Sequence, residues 1–510
     1  MRRIGFVLCC IAGTLLLQSC GDARSKELPG LDMAAHSLPY PRPEMETLAV
    51  FPGVPALPDS IRTTLQLRRA FFARDFQQLD QALQKLRADY LAGRSDFSVL
   101  ERFNSGIEDT QLAGIDACAD WLHAMPASYA AHWVCGAMWS GAAWKARGTK
   151  FAQDVSAAQF AIMHERLARS SALLEKALGL DPRPFEALTN LATNQYLDGN
   201  AELGARYLQR AEQIQPQYLP IHEARMNYAL PEWGGLPEQV RAAFEHAKKS
   251  GVSQDALLDL EDRYLIRPGK MSDPGAARAY WEKAIRTQPT RARLSRLLDH
   301  FLWLENWQDA LPVADRLIAT YPDSVSAYYR RARINEKLGR IAEALGDYRM
   351  AAAMGHDPSL QTLIMAHVSG GLGIAGKTFD ASVILCRYGA TLGSAVGANC
   401  IGSLYDEAGR VGIKFPHNPR QSLAWHQLGA RAGHYNSQYD LGWLLFTGRG
   451  EAADGAEAKR IGTFWMRRAA EQGHHYAKRK LEESHIDLTE PTSDANIVLS
   501  MLYELKRIVF

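Results

Sequence analysis

Alternating, strand-like stretches are nearly absent from these 510 residues, and apolar positions recur at helical spacing instead. An excess of charge of one sign is also missing. Lys and Arg number 58, Asp and Glu 56, and without Arg2 and Arg3 the formal charge of +2 falls to zero. With no basic excess and no basic stripe, nothing brings the chain to nucleic acid. After the first twenty residues no apolar run is long enough to cross a membrane. Seven cysteines occur, none with CxxC spacing outside the N-terminus, which sets aside structural zinc and dithiol redox chemistry. No GxSxG elbow is present. His164-Glu165 and His222-Glu223 begin like HExxH, but Ala168 and Met226 stand where the second histidine belongs. No close carboxylate pair suggests glycosidase work. The sequence therefore assigns no catalytic residue, no cofactor and no metal, and the chain is expected not to be an enzyme.

What is present begins with MRRIGFVLCCIAGTLLLQSCGD. Arg2 and Arg3 precede an apolar run, Ile4 to Leu17, of signal-peptide length. The run ends Leu17-Gln18-Ser19-Cys20, which resembles the bacterial lipobox. That resemblance implies a signal peptide over 1–20 and a lipid on Cys20. Gly21 in place of Asp implies the periplasmic side of the outer membrane, with the inner membrane as the alternative. Residues 21–60 carry Pro29, Pro39, Pro41, Pro43, Pro52, Pro55 and Pro58. Proline at that density opposes helix and predicts an extended tether. The alternative is a loop packed on the body, with Phe51 and Val54 available to dock.

Cys118, Cys135, Cys386 and Cys400 remain after the signal and the lipid site. Cys118 and Cys135 flank Pro126, and Cys386 and Cys400 flank Gly393, at near-equal distances. If each flank is a helix, the thiols of each pair meet across an antiparallel turn, so two disulfides are expected. Four buried free thiols are the alternative.

Small residues recur at fixed steps. Pro182 and Pro216 bracket Leu191, Ala192, Gly204, Leu208 and Ala211. A second set runs Ala277, Trp281, Ala284, Pro289; Ala310, Ala314, Leu317, Pro322; Ala344, Tyr348, Ala351. These resemble tetratricopeptide repeats, whose small residues let paired helices approach. Further on, Gly402, Trp425, Ala430, Gly433 and His434 recur forty residues later as Gly442, Trp465, Ala470, Gly473 and His474. This closely resembles Sel-one-like repeats. His474-His475 beside Glu471 is a possible metal cluster, but His434 matches His474 in register, so packing or capping is the expectation. The marks "AAWKARG" at Ala142–Gly148 and "PEWGGLPEQVRAAFEHA" at Pro231–Ala247 resemble an exported bacterial family of unknown function, which implies no activity.

Gly371 to Thr378 matches the phosphate-loop pattern GxxxxGK[ST] in full. Laid on the forty-residue register, Ala430 and Gly433 fall on Ala390 and Gly393. The glycines then join two antiparallel helices of a worn repeat. A phosphate loop requires a strand before it and a parallel sheet around it, so no nucleotide is expected. Trp133, Trp139, Trp144, Trp233, Trp303 and Trp307 are the candidate partner-binding residues. The tail "ANIVLSMLYELKRIVF" has an apolar helical face at Ile497, Met501, Leu505 and Ile508, which caps the last repeat or docks on a partner.

The expected fold is all-α, a superhelical solenoid of antiparallel helix pairs. Its expected segments are a signal peptide (1–20), a tether (21–60), a helical domain merging into tetratricopeptide-like repeats (61–250), tetratricopeptide-like repeats (251–358), Sel-one-like repeats (359–486), and a linker with a C-terminal helix (487–510). The expected function is an envelope-anchored, non-catalytic scaffold whose concave face or Trp-rich part binds another envelope protein or a peptide. The alternatives are a cell-wall-acting enzyme or its regulator, and a binder of small ligands or glycans through tryptophans.

Overall fold

The computed structural model describes residues 50–109, 111–148, 154–374, 378–407, 416–448 and 455–484. Cys20, Lys377 and the 487–510 tail lie outside the described residues. Among the described residues there is no strand. The N-terminal part comprises α1 (Asp59–Phe72), α2 (Phe76–Leu91), α3 (Ser98–Glu108), α4 (Gln111–Ala124), α5 (Tyr129–Arg147) and α6 (Ala157–Leu178). Next come α7 (Phe185–Leu197), α8 (Ala201–Ile214), α9 (Leu219–Tyr228), α10 (Pro237–Lys249), α11 (Gln254–Leu260), α12 (Pro274–Thr287), α13 (Arg291–Trp303), α14 (Trp307–Thr320), α15 (Val325–Lys337) and α16 (Ile341–Ala353). The array closes with α17 (Asp357–Ser369), α18 (Phe379–Thr391), α19 (Ala395–Glu407), α20 (Pro419–Arg431), α21 (Tyr435–Phe446), α22 (Gly455–Glu471) and α23 (His475–Glu483). Consecutive helices pack as pairs along a solenoid.

The periodic residues do the packing the register predicts. Ala277, Trp281, Ala284, Ala310, Ala314, Leu317, Ala344, Tyr348 and Ala351 are all buried. Gly371 to Ile374 belong to the turn between α17 and α18, with Gly370 and Gly373 at φ +82° and +73°. A helix, not a strand, precedes that stretch.

The turn between one repeat and the next has a recurring chemistry. Gly355, Gly433 and Gly473 sit at φ +87°, +88° and +90°, where a Cβ is penalised. The histidine that follows each glycine caps the next helix. His356, His434 and His474 accept through Nδ1 from the amides of Ser359, Ser437 and Ala477 at 3.3, 3.3 and 3.1 Å. His474 is thus a cap. At the worn repeat Gly393 is followed by Ser394, whose Oγ accepts from the Gly397 amide at 3.0 Å.

The N-terminal helices lie along the edge that carries these inter-repeat turns. Arg102 reaches Asp323, after α14, at 2.6 Å. Leu65 packs on Gly355, and Phe72 packs on Gly393 so closely that a Cβ there would stand 2.2 Å from its ring. Arg68 donates to the Leu392 carbonyl at 2.8 Å. Asp116 on α4 takes two bonds of 2.6 Å from Arg431 at the end of α20, and both side chains are buried. Removing either partner strands a buried charge, a loss of about 3–5 kcal/mol. A second buried node joins α2, α5 and α7. Arg87 donates to Glu186 at 2.6 Å and Tyr129 donates to its other oxygen at 2.8 Å.

One expectation is corrected here. The tether predicted over 21–60 does not extend through its last residues: Val50, Phe51, Val54 and Leu57 are buried, Phe51 to 1% exposure. Phe51 meets the Tyr388 ring edge-on at 4.9 Å. Val50 is helical, Phe51 to Val54 make a tight turn with Gly53 at φ +80°, and the chain then runs without helix to Pro58, yet the four apolar side chains on it still gain by burial.

Both expected disulfides are formed. Cys118–Cys135 joins α4 to α5 and Cys386–Cys400 joins α18 to α19, with Cα atoms 5.6 and 5.7 Å apart. Replacing either pair by serine is expected to cost about 2–4 kcal/mol in a denaturant titration. Mass mapping without reductant should recover these two pairs, and free thiols at all four positions would refute them.

The histidine caps predict a pH dependence. An accepting Nδ1 must be unprotonated. Burial pushes His356 and His434 from the ordinary 6.5 down to about 4 and also lowers His474. Between those values the unfolded chain binds protons that the folded chain refuses, so stability falls as pH falls. The contribution of the caps to the urea midpoint should therefore be full above pH 6.5 and fall toward pH 4, read as the difference between the parent and a variant whose caps do not titrate. His356→Asn with His434→Asn should flatten that slope, because an amide caps without titrating. Equal pH slopes in the parent and the double variant would show that the caps do not titrate.

Candidate functional site

The two sequence marks meet in space. Helix α5 ends Trp144-Lys145-Ala146-Arg147-Gly148, and Gly148 turns the chain at φ +74° and ψ −173°, a region open only to glycine. Gln159, from the capping box that starts α6, donates to the Ala146 and Arg147 carbonyls at 3.3 Å each. The end of α5 is therefore held from outside.

The second mark follows α9. Leu230 to Trp233 make a tight turn, Gly234 sits at φ +83°, and the Gly235 amide returns to the Leu230 carbonyl at 3.1 Å. A Cβ on Gly235 would stand 2.1 Å from the Ala229 oxygen. This turn presents Trp233 to Trp144, with centroids 5.7 Å apart and rings at 89°, the edge-to-face geometry that aromatic quadrupoles favour. The Arg147 guanidinium stands 5.8 and 5.7 Å from the two rings. The stack continues inward: Tyr228 lies 5.3 Å from Trp233, and Tyr196 stacks on Tyr228 at 4.1 Å. Tyr228 Oη is buried without a hydrogen-bond partner, and burial raises its pKa. On the other side, Glu232 accepts from Arg267 and Lys270, and these bonds hold its carboxyl down to about 2.

The outer side of this latch is open. Trp233 is 37% exposed and Leu236 51%. Ile266 and Met271, on the loop that Glu232 ties down, are exposed as well. Exposed large apolar side chains beside charged residues are a common mark of an interaction site.

The other tryptophans sort by burial. Trp133 is a correction. It is 2% exposed, lies among Phe97 and Tyr129, and donates to Asn190 at 3.3 Å, so it belongs to the core and not to a binding surface. Trp139 is half-buried under Arg169 at 5.0 Å. Trp307 is half-buried beneath Lys337 at 5.9 Å. Trp303, at the end of α13, is 71% exposed and separate from the latch. Arg147 and Leu236 were not among the candidates although both lie in the quoted marks. Tyr196 and Tyr228 carried no sequence signal beyond their aromatic character.

The latch makes a prediction that separates shape from contact. Gly235→Ala forces a clash with backbone and should cost about 1–3 kcal/mol, with faster amide exchange around Trp233. Trp233→Ala removes a part-exposed ring and should cost less in the same measurement. Equal losses would show that the turn is not the constraint.

Comparison with known proteins covers the chain in parts. Residues 63–202 match a family model described as Domain of unknown function (DUF4034), and residues 296–358 match one described as Tetratricopeptide repeat. Trp144 and Arg147 fall inside the first match and Trp233 beyond it. Chitin synthase regulatory factor 3 of Schizosaccharomyces pombe is 36% identical over 87 residues, 17% of this chain and 9% of that protein's length. Two solved structures are similar at low identity. A protective antigen of uropathogenic Escherichia coli strains displaying an SLR fold is 18% identical, with 79% of this chain and 82% of that one covered and a TM-score of 0.36. A Sel1 repeat protein from Oxalobacter formigenes is 15% identical, with 53% and 98% covered and a TM-score of 0.31. The chain is an all-α repeat solenoid, similar over 63–202 to a domain of unknown function and over 296–358 to tetratricopeptide repeats.

Proposed function

We propose that this chain is a lipid-anchored, non-catalytic scaffold of the bacterial envelope that binds another periplasmic or outer-membrane protein or a peptide segment. The observation that carries the proposal is Trp233 and Leu236, large apolar side chains left open on a rigid latch. Rigid aromatic anchors lose little entropy on binding, which is why Trp dominates interface energetics. Stacked repeats supply the extended surface around such an anchor. Cys20 would hold the body to the outer membrane, facing the periplasm, and the two disulfides fit that oxidising compartment.

One observation favours the alternative, a cell-wall-acting enzyme or its regulator. Burial, with Asp109 beside it, raises the Glu108 carboxyl to about 7 against the pull of Lys145. A carboxyl tuned to neutrality suits a general acid.

Crosslinking in intact envelopes, followed by capture of the full chain, separates the two readings. The scaffold reading expects a protein adduct that Trp233→Ser with Leu236→Ser reduces about tenfold or more, the scale of a lost interface anchor. It also expects Cys20→Ser to move the chain to the soluble fraction. Recovery of no protein adduct, together with turnover of cell-wall fragments that Glu108→Gln abolishes, would replace it with the enzyme.

A further inference from the structure

The strap Val50–Leu57 occupies a seat at the ends of α16 and α18. Its side chains join a buried cluster that includes Tyr328, Tyr348, Met354 and Tyr388. Tyr388 Oη is satisfied by the Ala353 carbonyl at 2.6 Å, so the ring presents an apolar edge to Phe51. The strap is held in an unusual way for so buried a segment. Pro52, Pro55 and Pro58 have no amide to donate. The backbone bond within the strap, from the Val54 amide to the Phe51 carbonyl, is local. From Phe51 to Leu57 no residue is in a helix or a strand, so what holds this stretch to its seat is side-chain burial. Phe51 to Val54 form a tight turn with Gly53 at φ +80°, and the prolines restrict the backbone around it, so a segment of this composition loses little entropy when it docks.

The seat also contains a group that the strap leaves unanswered. Arg69 is 8% exposed, stands over the Tyr388 ring at 5.5 Å, and its Nε and Nη2 atoms are buried with no hydrogen-bond partner. Among the described residues no carboxylate pairs with it, and a buried guanidinium without one is costly. Val50 to Leu57 contain no acidic residue. The seat therefore suits a ligand of the strap's kind that brings the carboxylate the strap lacks.

We propose that the Val50–Leu57 strap is an exchangeable internal ligand, and that its seat binds a proline-rich, apolar segment of a partner protein that carries a carboxylate for Arg69. The site is distinct from the Trp233 surface and stands whether or not that surface binds. In the resting chain the strap competes for the seat, and the partner's apparent affinity falls by the fraction of time the seat is open.

The test uses the detergent-solubilised full chain and two labelled synthetic peptides, Leu48–Pro58 and the same peptide with Ala49→Glu, read by fluorescence anisotropy. Phe51→Ser with Val54→Ser empties the seat. Both peptides should bind that variant about tenfold or more tighter than the parent, as expected when a competing internal ligand is removed. The Ala49→Glu peptide should bind tighter than the other, and Arg69→Gln should erase the difference between them. A folded variant that binds neither peptide would overturn the proposal. A variant that loses its cooperative unfolding would also overturn it, since the strap would then be permanent core. Hydrogen exchange in the parent chain decides independently: Gly53, Val54, Ala56 and Leu57 amides should exchange well before those of α18, and equal protection would refute exchange.

Discussion

Helix α1 joins the N-terminal helices to the repeat turns after α16 and α18, and the rest of the architecture depends on that contact. Its outward residues meet a row of inter-repeat turns: Leu65 on Gly355, Phe72 on Gly393, and Arg68 on the Leu392 carbonyl. Its inward residues, Leu67, Ala70 and Phe71, enter the core shared by α2 to α9. The Asp116–Arg431 pair extends the same seam one repeat further. An open solenoid has neighbours only in sequence order. Here that one-dimensional arrangement is cross-braced along one edge, so the repeats from α15 to α20 do not stand by nearest-neighbour packing alone.

The bracing and the latch use different physics for the same end. Along the seam, glycines that bear no Cβ let side chains approach backbone, and a bidentate ion pair fixes register. At the latch, glycines fold a turn so that two distant indoles meet around one guanidinium. In both places the functional surface is what remains outside a rigid contact. The inner edge of Trp233, the anchor proposed above, is already immobilised, which lowers what binding there would have to order.

Much of this was legible in the residues. Helical pairing followed from small residues at fixed steps, because a helix pair closes only where side chains are small. The disulfides followed from thiols placed evenly about a turn. The forty-residue register turned the GxxxxGK[ST] match into a turn between helices, and it marked the Gly-His pairs as recurrent features whose role proved to be capping. The losses have one cause. Periodicity describes a residue's local neighbours and is silent on contacts between distant segments. Asp116 and Arg431 are 315 residues apart, and neither is unusual where it stands. The strap was misassigned because proline density reports backbone conformation, not burial. Trp133 was misassigned because a tryptophan in a helix looks the same in sequence whether it faces core or solvent.

The seam also sets an order of events. The Arg68 bond to Leu392 spans 324 residues, so α1 is made first and completes its contacts among the last. Non-local closure of this kind slows folding, because loop entropy is lost before the contact returns it. Until α18 exists, the strap and the Ile61 and Leu65 side of α1 have no cover. A chain that emerges from its N-terminus therefore carries an exposed hydrophobic segment through most of its own synthesis, and it will be most prone to aggregation or chaperone capture during that interval.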